Sequence, residues 1–475
     1  MHILFVTSEV AGVFKLGGLA DVSFSLPFAL VREGLTVTVA LPFYSAIDVT
    51  GARGVGQLAV DFAGKRELVF LFSKPLSPRG GTLLLFRHPR LNDYHTPPIQ
   101  KTFSFFSKAV STFYLYGTHL LNTPIDIVHC NDWHTALLPL LVGEQSKLHQ
   151  KQTLQSRQTK TVITIHNLLY QGVVDETIID DLNAPRELFH FIGRGRKKKI
   201  SMLREGLEYA DIVTTVSPTY AKEIVSSAHH DALGDILVKR REQLVGIVNG
   251  INIDVWNPET DHLIAQTFTA KTVHAVKPIL RKALQEAVGL TWDDAPILGF
   301  IGRIEPSQKG VELIIEAAET LLSHHSFQLV LLGVGNKTMI SKLTALAKAS
   351  NRRISFINTF DERLAHRIYA GSDILLVPSK FEPCGLTQIV AMRYGTVPVV
   401  RNTGGLADTV TDGKTGFIFD QYSAKGLSSG ILRALAAWED KPTWERLVAS
   451  CMDQDFSWDK SAKRYIELYR RLQKE

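Results

Sequence analysis

In the stretch Lys380–Asp408, KFEPCGLTQIVAMRYGTVPVVRNTGGLAD, one carboxylate stands among groups that favour an anion. The apolar run Asp373–Ser379 before it has strand length and stops at a proline, so it reads as a buried parallel strand. Glu382 follows, then the turn Pro383-Cys384-Gly385, then a helix-length segment from Leu386 to Tyr394 that Gly395 ends. This loop therefore lies at the carboxyl end of a strand, where open α/β sheets bind ligands. The backbone N–H groups of Gly385, Leu386 and Thr387 at the helix start suit phosphate. Glu382 would repel that phosphate. It makes chemical sense against the neutral part of a ligand whose other end is anionic.

Two cations strengthen the phosphate reading. Arg303 and Lys309 flank IEPSQ after the apolar run ILGFIGR, and Lys309-Gly310 stands at a helix start. Two fixed cations and a helix N-terminus make a diphosphate clamp, able to stabilise charge on a departing nucleotide. Lys15 stands just before Gly17-Gly18 at another helix start, where it is expected to reach a phosphate. Gly17–Asp21, GGLAD, recurs letter for letter at Gly404–Asp408, which reads as two similar halves, each with a glycine-rich turn against an anion.

Asp132 ends the strand IDIVHC, while His166 and Asn167 end TVITIHN. The pair His166 and Asn167 is expected to donate hydrogen bonds to a sugar, and Asp132 to orient an incoming hydroxyl. A metal held by His129, Asp132, His134 and His166 fits poorly, because these residues are split between two strand ends. Trp133 among them is packing or a sugar platform. Cys384 has no His-Asn/Asp partner set for a nucleophile and reads as a small turn residue. Dehydrogenase chemistry is the rival for Rossmann-like halves, but Gly333–Thr338, GVGNKT, lacks the third glycine of the fingerprint.

The elements that must position these groups alternate strand and helix. His2–Ser8 is a near-continuous apolar strand, a loop Glu9–Gly18 follows, and a helix runs from about Leu19 to Glu33 before LTVTVALP. Gly56–Pro89 reads as short strands of an antiparallel insertion, and Phe103–Leu121 as an amphipathic helix. After a crossover near Leu244–Pro258, alternation resumes with ILGFIGR, FQLVLLG, ISFIN, DILLVPS and VPVV, and helices close the chain. The fold class is α/β, two doubly wound Rossmann-like domains facing across a cleft lined by strand ends. The domains are expected at 1–245 (with the Lys15 loop) and 246–455 (the nucleotide-sugar side), with a terminal helix at 456–475 packing back on the first.

Composition excludes several classes. The 475 residues exceed one ordinary core. With 45% apolar and 21% charged residues, disorder has no compositional basis. A net charge of +6 is spread too thinly for nucleic acid, and the basic run Arg194–Lys199 carries no interleaved aromatics. Three scattered cysteines fit a reducing compartment and no disulfide framework. No apolar run is long enough to span a bilayer and no basic leader opens the chain, so the expectation is a cytoplasmic protein without membrane partner.

Taken together, KLGGLADV (15–22), HCNDWHT (129–135), TIHNLLYQG (164–172), ADIVTTVSPTYAKEI (210–224), NGINIDVWNP (249–258), SQKG (307–310) and FEPCGLTQIVAMRYGTVPVVRNTGGLADTV (381–410) resemble bacterial glycogen synthases and plant starch synthases, in that family's order. The resemblance implies the GT-B fold. It also implies transfer of glucose from ADP-glucose to the non-reducing end of an α-1,4-glucan such as glycogen, with retention at the anomeric carbon and no required metal or other cofactor. By the same resemblance Lys15, Gly17 and Gly18 approach the donor nucleotide, with Gly385, Leu386 and Thr387 also on the donor. Arg303 and Lys309 bind its diphosphate, Glu382 holds the glucose and assists its departure, and His166 and Asp132 face sugar and acceptor. Lys380 departs from the family's usual arginine at that position.

Overall fold

The computed structural model describes residues 1–121, 123–143, 159–193, 198–226, 233–306 and 308–474. The chain forms two compact units, Met1–Gly250 with Trp458–Glu475, and Ile251–Ser457. Most of the basic run, Arg194–Lys197, lies outside the described residues.

In the first unit a nine-stranded sheet is built from β1 (His2–Val6), β2 (Thr36–Pro42), β3 (Arg53–Phe62), β4 (Lys65–Ser77), β5 (Gly80–Arg87), β6 (Ile127–Asn131), β7 (Lys160–Ile165), β11 (Ile212–Thr215) and β12 (Leu244–Gly246). The short strands β8 (Val173–Asp175), β9 (Phe191–Ile192) and β10 (Lys199–Ser201) form a separate sheet. The large sheet runs in the order β12-β11-β7-β6-β1-β2-β5-β4-β3. β1 is parallel to both β2 and β6 and is buried throughout, which is why its sequence is continuously apolar and does not alternate. From β1 the chain first winds outward one way, through β2, and later the other way, through β6. The topological switch point falls between β1 and β6, and the loops after these two strands line it.

The expected antiparallel insertion is different in kind. β3 and β4 make a long antiparallel hairpin, but β5 pairs parallel with β2, Thr38 opposite Thr82, so the segment extends the main sheet. Leu83–Phe86 are all buried, the pattern of an interior strand and not of a half-exposed ribbon.

The helix Trp458–Leu472 belongs to this first unit. It packs beside the helix Gly18–Arg32, adding Tyr465, Tyr469 and Leu472 to a core with Phe5, Leu26 and Leu30. Buried His129 is part of that packing. Its Nδ1 lies 2.6 Å from the Tyr469 hydroxyl and its Nε2 2.6 Å from Thr164 Oγ1, so both ring nitrogens are committed to the scaffold.

The second unit has a six-stranded parallel sheet: β13 (Ile297–Ile301), β14 (Gln328–Leu332), β15 (Ile354–Ile357), β16 (Ile374–Val377), β17 (Val397–Arg401) and β18 (Phe417–Phe419), in the order β15-β14-β13-β16-β17-β18. Its switch point lies between β13 and β16. Arg303 and Lys309 follow the first of these strands and Glu382 the second. Among the described residues, no helix is long and apolar enough to cross a membrane.

Candidate active site

Glu382 is buried, 6% exposed, in the loop between β16 and the helix Thr387–Arg393. One carboxylate oxygen, Oε2, takes an ion pair from Lys309 Nζ at 2.6 Å and a hydrogen bond from Ser379 Oγ at 2.9 Å. A buried carboxylate is costly without a partner, and Lys309 supplies one. The lysine is aimed by its backbone. Gly310, at φ +68°, caps the helix Val311–Leu321, and a side chain there would meet the Pro378 carbonyl at 2.2 Å. Only glycine lets these two switch-point loops approach so closely.

Arg303 is exposed, and its guanidinium donates to Gln308 Oε1 at 2.7 Å. Gln308 is buried, and its backbone carbonyl accepts from the Lys380 backbone N–H at 2.7 Å. Gln308 thus ties the arginine to the loop that carries Glu382. The sequence reading missed it, for a glutamine between a serine and a lysine carries no signal of its own. Phe360 was missed as well. It follows β15 at the same carboxyl edge and is 80% exposed, which is unusual for a phenylalanine.

The glycines of GVGNKT have a structural cause. A side chain at Gly333 would meet the Gly302 carbonyl at 1.8 Å, and Asn336 caps the next helix through the N–H groups of Thr338 and Met339. The turn brings two loops together.

The two GGLAD copies part company here. Around Gly17 a built Cβ meets only Glu9 Oε1 at 3.8 Å, and around Gly18 nothing within 4 Å. At Gly404 and Gly405 it would meet the carbonyls of Glu382 and Cys384 at 1.9 and 2.2 Å, and the Gly405 N–H donates to the Glu382 carbonyl at 3.0 Å. The second copy is packed against the Glu382 loop and holds it in place. The second pair of glycines serves close backbone approach to that loop.

In the first unit, Glu9 organises the Lys15 loop. Its buried carboxylate accepts the N–H groups of Leu16 at 2.7 Å and Gly17 at 2.8 Å. Burial raises its pKa, against the two N–H groups that lower it. Lys15 itself is about 40% exposed and pairs with Asp21 at 2.8 Å, within its own glycine turn.

Across the same switch point, Asp132 takes a positive φ of 54° and its Oδ1 accepts the His166 N–H at 2.7 Å. That contact joins the ends of β6 and β7. Burial pushes the Asp132 carboxyl up to about 7, opposed by the N–H groups of His166 and Asn167. Burial also lowers His166 to about 3, so its imidazole is neutral near pH 7. Asn131 Nδ2 donates to the Val6 carbonyl at 3.0 Å, which turns Oδ1 toward His166 Nε2 at 2.9 Å. Nε2 therefore carries the ring proton and Nδ1 is left as an acceptor. The imidazole was expected to donate to a sugar; its geometry offers a ligand an accepting nitrogen instead.

Trp133 is packing, stacked on His134 at 4.0 Å and edge-on to Phe103. Among the described residues no group of three His, Cys, Asp or Glu side chains is placed to hold a metal ion.

The family model of the starch synthase catalytic domain matches residues 2–239, and that of group 1 glycosyl transferases matches residues 284–446. The chain is 36% identical to a glycogen synthase of Thermodesulfovibrio yellowstonii, covering 99% of this chain and 98% of that one. With a glycogen synthase of Thioalkalivibrio sulfidiphilus the identity is 38%, over 99% of this chain and 100% of the other. Among solved structures, the catalytic domain of starch synthase IV from Arabidopsis thaliana, bound to ADP and acarbose, superposes with a TM-score of 0.88 at 31% identity, covering 100% of this chain and 99% of that one. A sucrose-phosphate synthase from Thermosynechococcus elongatus, at 20% identity and a TM-score of 0.59, shares the fold.

Proposed function

The chain belongs to the family of glycogen and starch synthases, glycosyltransferases that elongate an α-1,4-glucan from ADP-glucose, and on that premise we propose how its residues divide the reaction. The observation that carries the reading is the Lys309–Glu382 pair at the second unit's switch point, with Arg303 beside it. The donor diphosphate lies on Arg303, Lys309 and the N–H groups of Gly385, Leu386 and Thr387, and its base stacks on Phe360. Glu382 faces the glucose.

As the bond from C1 to the diphosphate lengthens, its electron pair moves to the ADP oxygen, where the two cations take up the charge. The anomeric carbon becomes positive, and the free oxygen of Glu382 stabilises it. A hydroxyl oxygen at the glucan's non-reducing end bonds to C1, its proton passes to the departing diphosphate, and the anomeric configuration is retained. In the first unit Lys15 and the Gly17-Gly18 turn serve the donor phosphates. Asp132 Oδ2 and His166 Nδ1 hold hydroxyls of glucose and acceptor.

ADP release with ADP-glucose and with UDP-glucose, each on a glycogen primer, tests this. ADP-glucose should exceed UDP-glucose by at least about tenfold in kcat/KM, and label should grow on the polymer. Equal use of both donors, or a single small product, would contradict the reading.

A further inference from the structure

Gln388 directly follows the turn Gly385–Thr387, to which the donor phosphates are assigned above, and its side chain is fully buried. Its amide nitrogen Nε2 donates to the carbonyls of Cys384 at 3.1 Å and Gly385 at 2.7 Å, and to Thr409 Oγ1 at 3.0 Å. The Thr409 hydroxyl gives its own proton to the Gly405 carbonyl at 2.6 Å, so toward Gln388 it is an acceptor. One amide thus joins the turn to the helix Gly404–Thr409, which packs on the Glu382 loop.

The other end of the amide is idle. Gln388 Oε1 is buried and accepts no hydrogen bond among the described residues. A buried acceptor left bare is unfavourable, and an apolar side chain of like size would avoid it. What such a side chain lacks is the N–H pair, so the donors are the reason for a glutamine here. Its orientation is fixed as well, because a flipped amide would set Oε1 against two carbonyls. At φ +72°, Gly385 leaves room for this amide, whereas a Cβ there would lie 2.5 Å from Oε1.

In a trans peptide the C=O and the following N–H point opposite ways. The Cys384 carbonyl, turned in to Gln388, therefore turns the Gly385 N–H out, and the Gly385 carbonyl does the same for the Leu386 N–H. Gly385 and Leu386 are half-buried, and neither N–H donates to another described residue.

We propose that Gln388 is a positioning residue for the donor: by holding two carbonyls inward it aims the N–H groups of Gly385 and Leu386 at the diphosphate. This rests on the donor site proposed above. Gln388 itself does not touch the donor and acts through the turn. Those N–H groups meet the diphosphate both before and after transfer, so Gln388 governs the affinity for donor and for ADP more than kcat.

Calorimetry of ADP binding to the full chain, together with steady-state kinetics, tests this. Gln388→Met keeps the length of the side chain and removes both donors. ADP affinity should fall at least about tenfold and donor KM should rise by a like factor. The change in kcat should be smaller, and the KM for glycogen should hold within about threefold. Gln388→Glu gives a readout that packing alone does not move. A buried carboxyl among oxygen acceptors is held protonated at low pH, where its O–H can donate to one carbonyl; once ionised it donates to none. The ratio of variant to parent ADP affinity should therefore rise at least about threefold from about pH 8.5 to about pH 6, the ionisation of ADP itself cancelling in the ratio. If Gln388→Met fails to fold, Gln388→Glu decides the matter. The proposal is overturned if folded variants bind ADP as the parent does, if kcat falls with donor KM and ADP affinity unchanged, or if the Gln388→Glu ratio is flat with pH. A parent that binds no ADP would overturn the donor reading itself, and this proposal with it.

Discussion

Asp132 and His166 differ from what their residue types alone suggest. Both are surrounded by protein, so burial decides their charge: the carboxyl rises to about 7 and the imidazole falls to about 3. Sequence placed both at strand ends, which was enough to select them. It could not supply the Asn131 amide that fixes the imidazole proton, because that depends on a bond to the Val6 carbonyl 125 residues away. The same limit hid Glu9, whose two backbone contacts form only once the Lys15 loop folds back on it. Asp132 gives a test by pH. A folded pKa above the ordinary carboxylate value means the fold favours the protonated form. That contribution is complete below pH 4 and fades as pH rises through about 7. Asparagine can accept from the His166 N–H but never ionises. Between pH 5 and 8 the stability of Asp132→Asn should therefore gain on the parent by about 2 kcal/mol. Urea midpoints at the two pH values measure it, and midpoints that move in parallel would refute it.

Helices and strands were legible because their apolar patterns are long. The closing helix Trp458–Leu472 and the strands of the second sheet lie where periodicity puts them. β5 was misjudged because turn residues on both sides mark a hairpin whether or not the strand also pairs with the main sheet. The GGLAD copies mark a deeper limit, since identical letters serve different ends according to what packs on them. Gly18→Ala places a methyl in open space at the first position of a helix, so folding stability should stay within about 0.5 kcal/mol of the parent. Gly405→Ala drives a methyl to 2.2 Å from the Cys384 carbonyl, and at least about 2 kcal/mol should be lost as the Glu382 loop gives way. Urea denaturation of the two variants checks the contrast. Equal stabilities would mean that the second copy is not packed as described.

At the scale of the molecule, each unit has a sheet whose central strands are parallel and wind both ways from an inner strand, and each sets its chemical groups at its own switch point. The second unit holds the Arg303, Lys309 and Glu382 groups, and the first holds Lys15, Asp132 and His166. Lys15 therefore asks whether the first unit acts on the donor. A lysine–phosphate bond of roughly 2–3 kcal/mol predicts that Lys15→Gln lowers donor kcat/KM about 30- to 150-fold, mostly through donor KM. Acceptor KM should stay within about threefold. Steady-state kinetics with each substrate varied in turn distinguishes this from a lysine occupied only with Asp21, whose loss would leave donor use unchanged.

The central claim is that Glu382 acts on the glucose as it leaves ADP, and Glu382→Gln tests it most directly. The substitution keeps the shape of the side chain but removes the charge that faces the anomeric carbon in the transition state. Transfer of labelled glucose from ADP-glucose to glycogen, with thermal unfolding recorded alongside, should show kcat lower by on the order of 10² or more while donor KM stays within about threefold. A folded variant with kcat near the parent's would contradict the account, and would leave Glu382 as no more than the buried partner of Lys309.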